Sequence, residues 1–310
     1  MTHKKIAIIG ECMIELSEKG ENIKRGFGGD TLNTAVYLAR QVTEAQLSVD
    51  YVTALGIDSF SEQMIAAWQQ EKVNTRLIQR LENKMPGLYV IETDDKGERT
   101  FWYWRSDAAA RYWLDGPQAA AIVDELTHYD YLYLSGISLA ILPAESREKL
   151  MTLLDRCRAN GGQVIFDNNY RPRLWADKAS AQQAYSAMLQ RTDIAFLTLD
   201  DENLLWGDHP VSAVIERTRE AGASEIVIKR GAESCLVALG DDALIDVPAV
   251  RLDPARVVDT TAAGDSFSAG YLSQRLTGGS AEASAERGHL TASTVIQHRG
   301  AIIPMEAMPK

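Results

Sequence analysis

Residues 258–270, VDTTAAGDSFSAG, are the segment that says most about the architecture of this chain. A run of small residues at 260–264 opens directly into a helical pattern that contains Phe267, Tyr271 and Leu272. Small side chains let a ligand approach the backbone closely, and a helix start offers unpaired N–H groups and a partial positive charge. The segment therefore predicts an anion hole at a helix start, suited to a phosphoryl group.

Asp265 lies in the first turn of that predicted helix. A carboxylate at this position is a good helix cap, which is a sufficient structural explanation in itself. It would also suit a general base that takes a proton from an attacking hydroxyl. One helix start would then hold both the base and the phosphate, a coupling that phosphoryl transfer requires because it depends on positioning and charge stabilisation. Both interpretations of Asp265 stay open at this level.

Short apolar runs alternate with helical patterns along most of the chain, and such runs are typical of strands buried on both faces of a sheet. The predicted strands are residues 5–9, 49–54, 131–135, 163–167, 194–197 and 225–229. The predicted helices are residues 31–40, 59–71, 144–159, 179–190, 212–221, 265–276 and 281–297. The alternation predicts an α/β, three-layer fold in which helices cover both faces of a mainly parallel central sheet.

Two stretches depart from this alternation, at about residues 12–27 and 87–105. The second contains GLYVIE and RTFWYWR around a DKG turn at residues 95–97, a pattern that predicts a hairpin. We expect the two stretches to form a small β-sheet that projects from a single domain spanning residues 1–310.

The predicted hairpin is rich in aromatic residues. Trp102 and Trp104 alternate with Tyr103, so the two faces of that strand differ. Aromatic side chains are enriched both in ligand pockets and at the cores of interfaces. The hairpin is therefore compatible with a lid over a ligand, with a homo-oligomer formed through this β lid, or with plain packing.

The composition excludes several kinds of partner. The chain has 310 residues, with 32 basic and 43 acidic side chains and a net charge of −11. The acid excess argues against nucleic acid, which is held by clustered Lys and Arg, and against an anionic membrane surface. No apolar run reaches the roughly 18 residues of a membrane helix, and the start lacks a signal-peptide cleavage site. Three cysteines without zinc-site spacing suggest buried thiols in a cytoplasmic protein.

Two segments, in this order, resemble the signatures of ribokinase-like, or pfkB-type, carbohydrate kinases, and the resemblance covers nearly the whole chain. They are GGDTLNTA at residues 28–35 and DTTAAGDSFSAG at residues 259–270. Taken alone, the paired glycines would also fit an ordinary loop before a helix. The resemblance implies that Asp265 is the catalytic aspartate, with an anion hole formed by Ala262, Ala263 and Gly264. It also implies contacts to a sugar from Gly28, Gly29, Asp30 and Asn33.

The sequence departs from the family pattern at two positions. Ala262 stands where the family usually has glycine, and it would be strained if its backbone were left-handed. The family's Asn-x-x-Glu motif, tied to magnesium and phosphate, is present as LDDE at residues 199–202, so that Leu199 replaces the Asn. Glu202 matches the motif and is the candidate Mg²⁺ ligand, since proteins hold Mg²⁺ through few carboxylates and several waters.

The nucleotide side of the predicted site begins at residues 229–233, KRGAE, which follow a predicted strand end. Ligands bind at such ends in open α/β sheets. The segment resembles the family's loop over the ATP phosphates, although a solvated basic turn would have the same pattern. The sequence has no Walker A pattern, which excludes a P-loop NTPase. By resemblance, residues 289–300 wall the adenine. The candidate ATP-binding residues are Lys229, Gly231, Glu233, Ala263, Gly264, Asn169 and Arg171.

Aromatic and charged residues indicate the kind of sugar. Tyr89, Tyr103 and Arg105 lie on the predicted small sheet, and Asn169 and Arg171 follow a strand end. Arginines near a sugar suggest a carboxylate, because a guanidinium matches it bidentately. The alternatives are a solvated Arg105 and an Arg171 paired with Asp167 or with phosphate. The pattern resembles the branch of the family that acts on 2-keto-3-deoxygluconate, which implies that all five residues contact the acid sugar.

The resemblance thus implies an ATP- and Mg²⁺-dependent kinase that phosphorylates the C6 hydroxyl of 2-keto-3-deoxygluconate. Another sugar kinase of the same family, such as a fructokinase, a ribokinase or a 2-ketogluconate kinase, is the first alternative. A non-catalytic nucleotide- or sugar-binding sensor is the second alternative, and the intact helix-start motif around Asp265 argues against it.

Overall fold

The computed structural model describes residues 3–19, 22–93, 99–240 and 244–309. Its strands are β1 (Lys4–Ile9), β2 (Met13–Lys19), β3 (Asn22–Gly28), β4 (Leu47–Leu55), β5 (Ile78–Arg80), β6 (Leu88–Thr93), β7 (Arg99–Trp104), β8 (Tyr131–Ser135), β9 (Gln163–Asp167), β10 (Ile194–Thr198), β11 (Glu225–Lys229), β12 (Cys235–Leu239) and β13 (Ile245–Val247). Its helices are α1 (Asp30–Gln41), α2 (Ser59–Gln70), α3 (Ala119–Leu126), α4 (Gly136–Ala140), α5 (Ala144–Ala159), α6 (Lys178–Leu189), α7 (Leu199–Trp206), α8 (Val211–Ala221), α9 (Ala263–Arg275) and α10 (Ala281–Val295). No helix within these ranges is long and apolar enough to cross a membrane.

A nine-stranded sheet in the order β13-β12-β11-β10-β9-β8-β1-β4-β5 forms the centre of the molecule. Its strands pair in parallel from β5 across to β11, whereas β12 and β13 pair antiparallel at one edge. All strands predicted from the sequence are present, as β1, β4, β8, β9, β10 and β11. The prediction of an α/β fold with a mainly parallel central sheet is therefore confirmed.

The core has two apolar layers, one on each face of the central sheet. Side chains alternate along a strand, and accordingly Ile6 and Ile8 of β1 belong to one buried cluster and Ala7 and Ile9 to the other. Helices α1 and α9 contribute to the first cluster, and α5 contributes to the second. Because helices cover both faces, β4 is buried along its whole length. The fold thus has three layers.

A second sheet of four strands, in the order β3-β2-β6-β7, is built from the two stretches that interrupt the alternation. The predicted turn at residues 95–97 lies outside the described residues. On one face of this small sheet, Tyr89 packs against Tyr103 with ring centroids 5.8 Å apart. Trp102 and Trp104 alternate with Tyr103, so they point to the opposite face, where they are 51% and 62% exposed.

Candidate active site

A cavity of about 2420 Å³ lies between the small sheet and the carboxyl ends of the central strands. Ligands of open α/β sheets bind at this edge. Most of the predicted site residues line the cavity, namely Gly28, Gly29, Asp30, Asn33, Tyr89, Tyr103, Arg105, Asn169, Arg171, Lys229, Gly231, Ala262, Ala263, Gly264 and Asp265. The fold therefore brings together the two sequence segments that carry the predicted chemistry.

Asp265 is in the first turn of α9, opposite α1. Asn33 of α1 donates a hydrogen bond from Nδ2 to Asp265 Oδ2 at 2.8 Å. Burial and the nearby Asp30 carboxylate raise the pKa of Asp265 to about 8, against the lowering effects of the Asn33 hydrogen bond and the Lys229 ammonium. The carboxyl thus exchanges its proton close to neutral pH, as a general base should. Asn33 Oδ1 is buried and lacks a hydrogen-bond partner in the described part of the chain, so it is left for a ligand.

Ala262 precedes α9 in the left-handed conformation, with φ of 60° and ψ of 16°. Of the two conformations considered from the sequence, this is the strained one. A residue with a Cβ pays about 1–2 kcal/mol in this region, because the Cβ approaches the following carbonyl oxygen. The strain is located at the start of the helix whose N–H groups face the cavity, where backbone strain is commonly stored.

Replacing Ala262 by glycine is expected to stabilise the protein by about 0.5–1 kcal/mol, because the relieved strain exceeds the entropy that glycine adds to the unfolded chain. Urea unfolding should show a higher midpoint at an unchanged slope. Lys72 has a left-handed φ of 63° and lies outside the cavity, so Lys72→Gly is a control for the same effect. If Ala262→Gly lowers the midpoint while Lys72→Gly raises it, contacts of the Ala262 methyl group outweigh its strain.

Lys229 ends β11 and is held beside the start of α9. Its Nζ donates to Asp167 Oδ2 at 2.7 Å, and Ser268 Oγ donates to the same oxygen at 2.9 Å. A Cβ built on Gly264 would lie 3.5 Å from Lys229 Nζ, so the absence of a side chain there leaves space in front of the ammonium. Gly264 and Lys229 together give an anion access to the N–H groups at the start of α9. Asp167 was not among the predicted site residues, and its place at a strand end was the available signal.

The paired glycines have a packing reason that the motif does not reveal. A Cβ on Gly28 would come within 2.2 Å of the Tyr89 hydroxyl oxygen, and one on Gly29 within 2.2 Å of the Glu11 carbonyl oxygen. Neither position therefore accepts a side chain without displacing its neighbours. Because Gly28 and Gly29 have no side chains, the start of α1 lies close to the small sheet and to the segment that follows β1. This position places Asn33 beside Asp265.

Asn169 and Arg171 follow β9 on the wall between the two ends of the cavity. Asn169 donates from Nδ2 to Asp30 Oδ2 at 2.6 Å. Arg171 is half-exposed and lies 3.5 Å from Asp201 Oδ2. The alternative that pairs Arg171 with Asp167 is wrong, because Asp167 is occupied by the buried ammonium of Lys229. Both side chains can still reach a ligand in the cavity, which they line.

Arg105 follows β7, and its guanidinium forms an ion pair with Glu11. The alternative of a solvated Arg105 is wrong, since the side chain is 12% exposed and that of its partner 1%. Burial raises the pKa of Glu11, and Arg105 counters this effect. Glu11 lines the cavity and is a site residue that the sequence patterns did not reveal. Its position just after β1 would have been the signal.

Glu202 of α7 is 2% exposed and is not among the residues that line the cavity. Its Oε1 accepts from Asn168 Nδ2 at 3.0 Å, and its Oε2 pairs with Arg217. Its neighbours Asp200 and Asp201 line the cavity instead, and carboxylates, completed by water and phosphate oxygens, are the donors that Mg²⁺ takes. The described ranges contain no cluster of three or more His, Cys, Asp or Glu arranged to hold a metal ion.

The predicted nucleotide segment faces the cavity only in part. Lys229 and Gly231 line it, whereas Glu233 is exposed, pairs with Arg230 at 3.5 Å and is not among the lining residues. From α10, His289 lines the same end of the cavity, with its ring centroid 5.1 Å from that of Phe267. This end is therefore walled by both of the segments predicted for the nucleotide.

This chain is similar to known proteins in sequence and in fold. The model of the pfkB family of carbohydrate kinases matches residues 3–308. A 2-dehydro-3-deoxygluconokinase of Escherichia coli K12 is 70% identical over 306 residues, which cover 99% of each chain. One from Dickeya dadantii is 68% identical over 309 residues, which cover 100% of each chain. The structure of a fructokinase with bound ATP from Xylella fastidiosa has a TM-score of 0.82 at 22% identity and covers 99% of this chain and 95% of that one.

The chain therefore belongs to the pfkB family of carbohydrate kinases. The family predicted from residues 28–35 and 259–270 is confirmed. Within that family, the curated relatives that this chain matches over their whole length at about 70% identity are 2-dehydro-3-deoxygluconokinases.

Proposed function

We propose that this protein transfers the γ-phosphoryl group of ATP to the C6 hydroxyl of 2-dehydro-3-deoxygluconate, also called 2-keto-3-deoxygluconate, to give the 6-phosphate and ADP. The observation that carries the proposal is the position of Asp265, hydrogen-bonded to Asn33 at the start of α9, with Gly264 beside Lys229. The activity named for the relatives from Escherichia coli and Dickeya dadantii supports the choice of substrate.

In the proposed mechanism, Asp265 accepts the proton of the C6 hydroxyl while that oxygen attacks the γ-phosphorus. The bond from this phosphorus to the bridging oxygen breaks, and the electron pair leaves with ADP. Asn33 orients the carboxylate through Nδ2 and offers Oδ1 to a sugar hydroxyl. The small residues Ala262, Ala263 and Gly264 let the transferring group reach the helix-start N–H groups, which stabilise its charge with the help of Lys229.

The proposed reaction uses ATP together with Mg²⁺. Bound Mg²⁺ would neutralise phosphate charge and orient the phosphate chain. Asp200 and Asp201 offer carboxylates at the cavity wall. Glu202 stays a predicted Mg²⁺ ligand whose contact would run through a water, since Asn168 and Arg217 engage both of its oxygens.

The sugar is proposed to lie beneath the small sheet. With C6 at Asp265, the C1 carboxylate extends away from α9, toward Arg105. Tyr89 and Tyr103 offer aromatic faces to the sugar from the small sheet, and both line the cavity. Asp30, hydrogen-bonded to Asn169, offers an acceptor for hydroxyl groups between the two ends.

We expect kcat/KM to fall about tenfold per pH unit as the pH drops below about 8, because Asp265 acts as a base only when deprotonated and burial raises its pKa to about 8 in the free enzyme. The measurement is a pH–rate profile at low sugar concentration, with the coupling enzymes shown to be in excess at each pH. A profile that stays flat from pH 8 into the acid range would contradict this protonation state for the base.

The test of the proposed function is ADP release with 2-dehydro-3-deoxygluconate, 2-ketogluconate, fructose and ribose, each at matched concentration. We expect kcat/KM to be highest for 2-dehydro-3-deoxygluconate. A preference for fructose or ribose would replace the proposal with another sugar kinase of the family. Binding of sugar and ATP without ADP release would indicate a non-catalytic sensor.

We also propose that the small sheet acts as a lid on the single kinase domain and that two copies pair through its outer face. Trp102 and Trp104 are 51% and 62% exposed, and exposed aromatic side chains are enriched at interfaces. Sedimentation should show a dimer for the parent and a monomer for Trp102→Asp/Trp104→Asp. A monomeric parent would contradict the pairing.

We propose a cytoplasmic location, because ATP is available there and because Cys12, Cys157 and Cys235 are buried free thiols.

A further inference from the structure

The sugar end of the cavity contains a second arginine, Arg111, that neither signature segment includes. It belongs to the short helical turn Ala109–Tyr112, which comes shortly after β7. Arg111 lines the cavity together with Arg105 and Glu11. The other cations at this end have partners, since Arg105 pairs with Glu11 and Lys84 with Asp107. For Arg111, the described residues provide no hydrogen-bond or ion-pair partner.

The pair of Glu11 and Arg105 is incomplete as it stands. Within the described residues, a single hydrogen bond joins the two side chains, from Arg105 Nη2 to Glu11 Oε2. Glu11 Oε1 and Arg105 Nε are buried, and neither has a hydrogen-bond partner among the residues that the structure describes. Buried polar atoms without partners are rare in folded proteins, and they often mark a place that a bound molecule or water completes. The local structure therefore leaves room for further polar groups at this charged corner.

The balance of charge shows which kind of group is missing. Glu11 already neutralises Arg105, so a substrate carboxylate bound to Arg105 would be a second negative charge on one guanidinium. Buried charges that are not compensated are costly. A further cation would compensate this charge, and Arg111, which lines the same cavity, is close enough for its charge to lower the pKa of Glu11. Two arginines would then face Glu11 and the substrate carboxylate, with Asp30 as a further negative charge near Glu11.

We propose that Arg111 is a substrate-binding residue that completes the recognition of the sugar carboxylate and thereby selects acid sugars over neutral ones. The proposal rests on the proposed function, because it requires a substrate that carries a carboxylate at the end opposite the reacting hydroxyl. Glu11 acts in it as a positioning residue, which holds Arg105 in place without contacting the substrate carboxylate.

The test compares 2-dehydro-3-deoxygluconate with the 3-deoxyhexulose in which the C1 carboxylate is an alcohol. Arg111→Met should lower kcat/KM for the acid sugar roughly 10- to 150-fold, mainly through KM, since a charge-assisted hydrogen bond is lost. It should leave kcat/KM for the neutral sugar nearly unchanged. Arg111→Lys keeps the charge and should retain most of the preference for the acid sugar.

Arg173→Met is the matched control. Arg173 is an exposed arginine that lines the same cavity, so its replacement removes the same charge and should leave the ratio of acid to neutral kcat/KM unchanged. Thermal midpoints are measured for every variant. If Arg111→Met does not fold, Arg111→Gln, which keeps a polar side chain, takes its place with the same expected loss of preference.

The outcomes separate this inference from the proposed function. If the parent does not phosphorylate 2-dehydro-3-deoxygluconate, the proposed function fails, and the inference falls with it. If the parent prefers the acid sugar and Arg111→Met lowers both kcat/KM values equally, the proposed function stands and the inference is overturned, because Arg111 then only shapes the loop. An unchanged preference in Arg111→Met overturns the inference in the same way.

Discussion

Asp265→Asn is expected to lower turnover on the order of 10²–10⁴-fold or more, because an amide cannot accept the proton of the attacking hydroxyl. The loss should appear in kcat, with KM for the sugar changed much less, since the group acts in the transition state. Asn also caps helices well, and its side-chain oxygen can still accept the hydrogen bond from Asn33 Nδ2. Steady-state kinetics with both substrates saturating measures the effect.

The stability of the same variant has a predicted dependence on pH. The pKa of Asp265 is about 8 in the folded protein, against an ordinary value of 3.8 for an aspartate. A carboxyl whose pKa is raised by folding contributes stability at acid pH that is lost as the pH rises through the folded pKa. Asp265→Asn removes this pH-dependent loss of stability. The unfolding free energy of the variant minus that of the parent should therefore increase with pH.

Asp177→Asn is the control for the substitution itself. Asp177 is an exposed residue that caps α6 by accepting a hydrogen bond from the Ser180 backbone N–H, and it does not line the cavity. The same exchange there should leave turnover unchanged. Near-normal turnover of Asp265→Asn would remove Asp265 from the chemistry, whatever its effect on stability.

Gly264→Val is expected to abolish most activity, with a loss of at least about 100-fold, because a removed group of oxyanion-hole type costs about 10²–10³-fold in kcat. The Cβ would point toward Lys229 Nζ at 3.5 Å, and the branched methyl groups would occupy the space proposed for the phosphoryl group. The backbone of Gly264 is not left-handed, and outside its own helix and chain neighbours the Cβ meets no other atom of the described residues within 4 Å, so the protein should fold. Turnover and ATP affinity are to be measured together with the thermal midpoint.

Two further variants isolate the steric effect. Gly264→Ala adds the Cβ alone and should give a smaller loss of turnover than valine. Gln274→Val places the same β-branched residue at an exposed position of α9, where it should affect stability slightly and activity not at all. If Gly264→Val retains both ATP binding and turnover, the anion hole lies elsewhere in the cavity.

The elements of the central sheet were predictable because of how they are buried. Strands covered by helices on both faces are near-continuous apolar runs, and β1, β8, β9, β10 and β11 have this pattern, whereas β4 also contains the buried polar residues Ser48, Asp50 and Thr53. The long amphipathic helices were predictable for the same kind of reason. By contrast, β5 and β13 have three residues each, and such short strands are defined by the neighbour with which they pair. Helix α7 starts directly after β10 in an acidic run, without a sequence pattern that separates it from a loop.

The residue types of the site could also be predicted, since the segments at 28–35 and 259–270 contain them in order. Their partners could not. Asp167 pairs with Lys229, and Glu11 with Arg105, and each pair joins residues from distant parts of the chain. Their positions at or just after strand ends place these carboxylates at the edge of the sheet, but no local pattern shows which cation each of them pairs with. For this reason, two alternatives considered from the sequence were wrong. One was a solvated Arg105, and the other was an Arg171 paired with Asp167.

The order and type of the main elements, the two segments of the site and the family could all be predicted from the amino-acid sequence alone. These properties follow from local periodicity and from residues that are close along the chain. Three properties depend on the folded chain: Ala262 is left-handed, Glu202 is buried with both oxygens engaged, and the pKa of Asp265 rises to about 8. The physical reason is that burial, charge pairing and backbone strain depend on distances between side chains of distant segments, as for Asn33 and Asp265, which are 232 positions apart and 2.8 Å from each other.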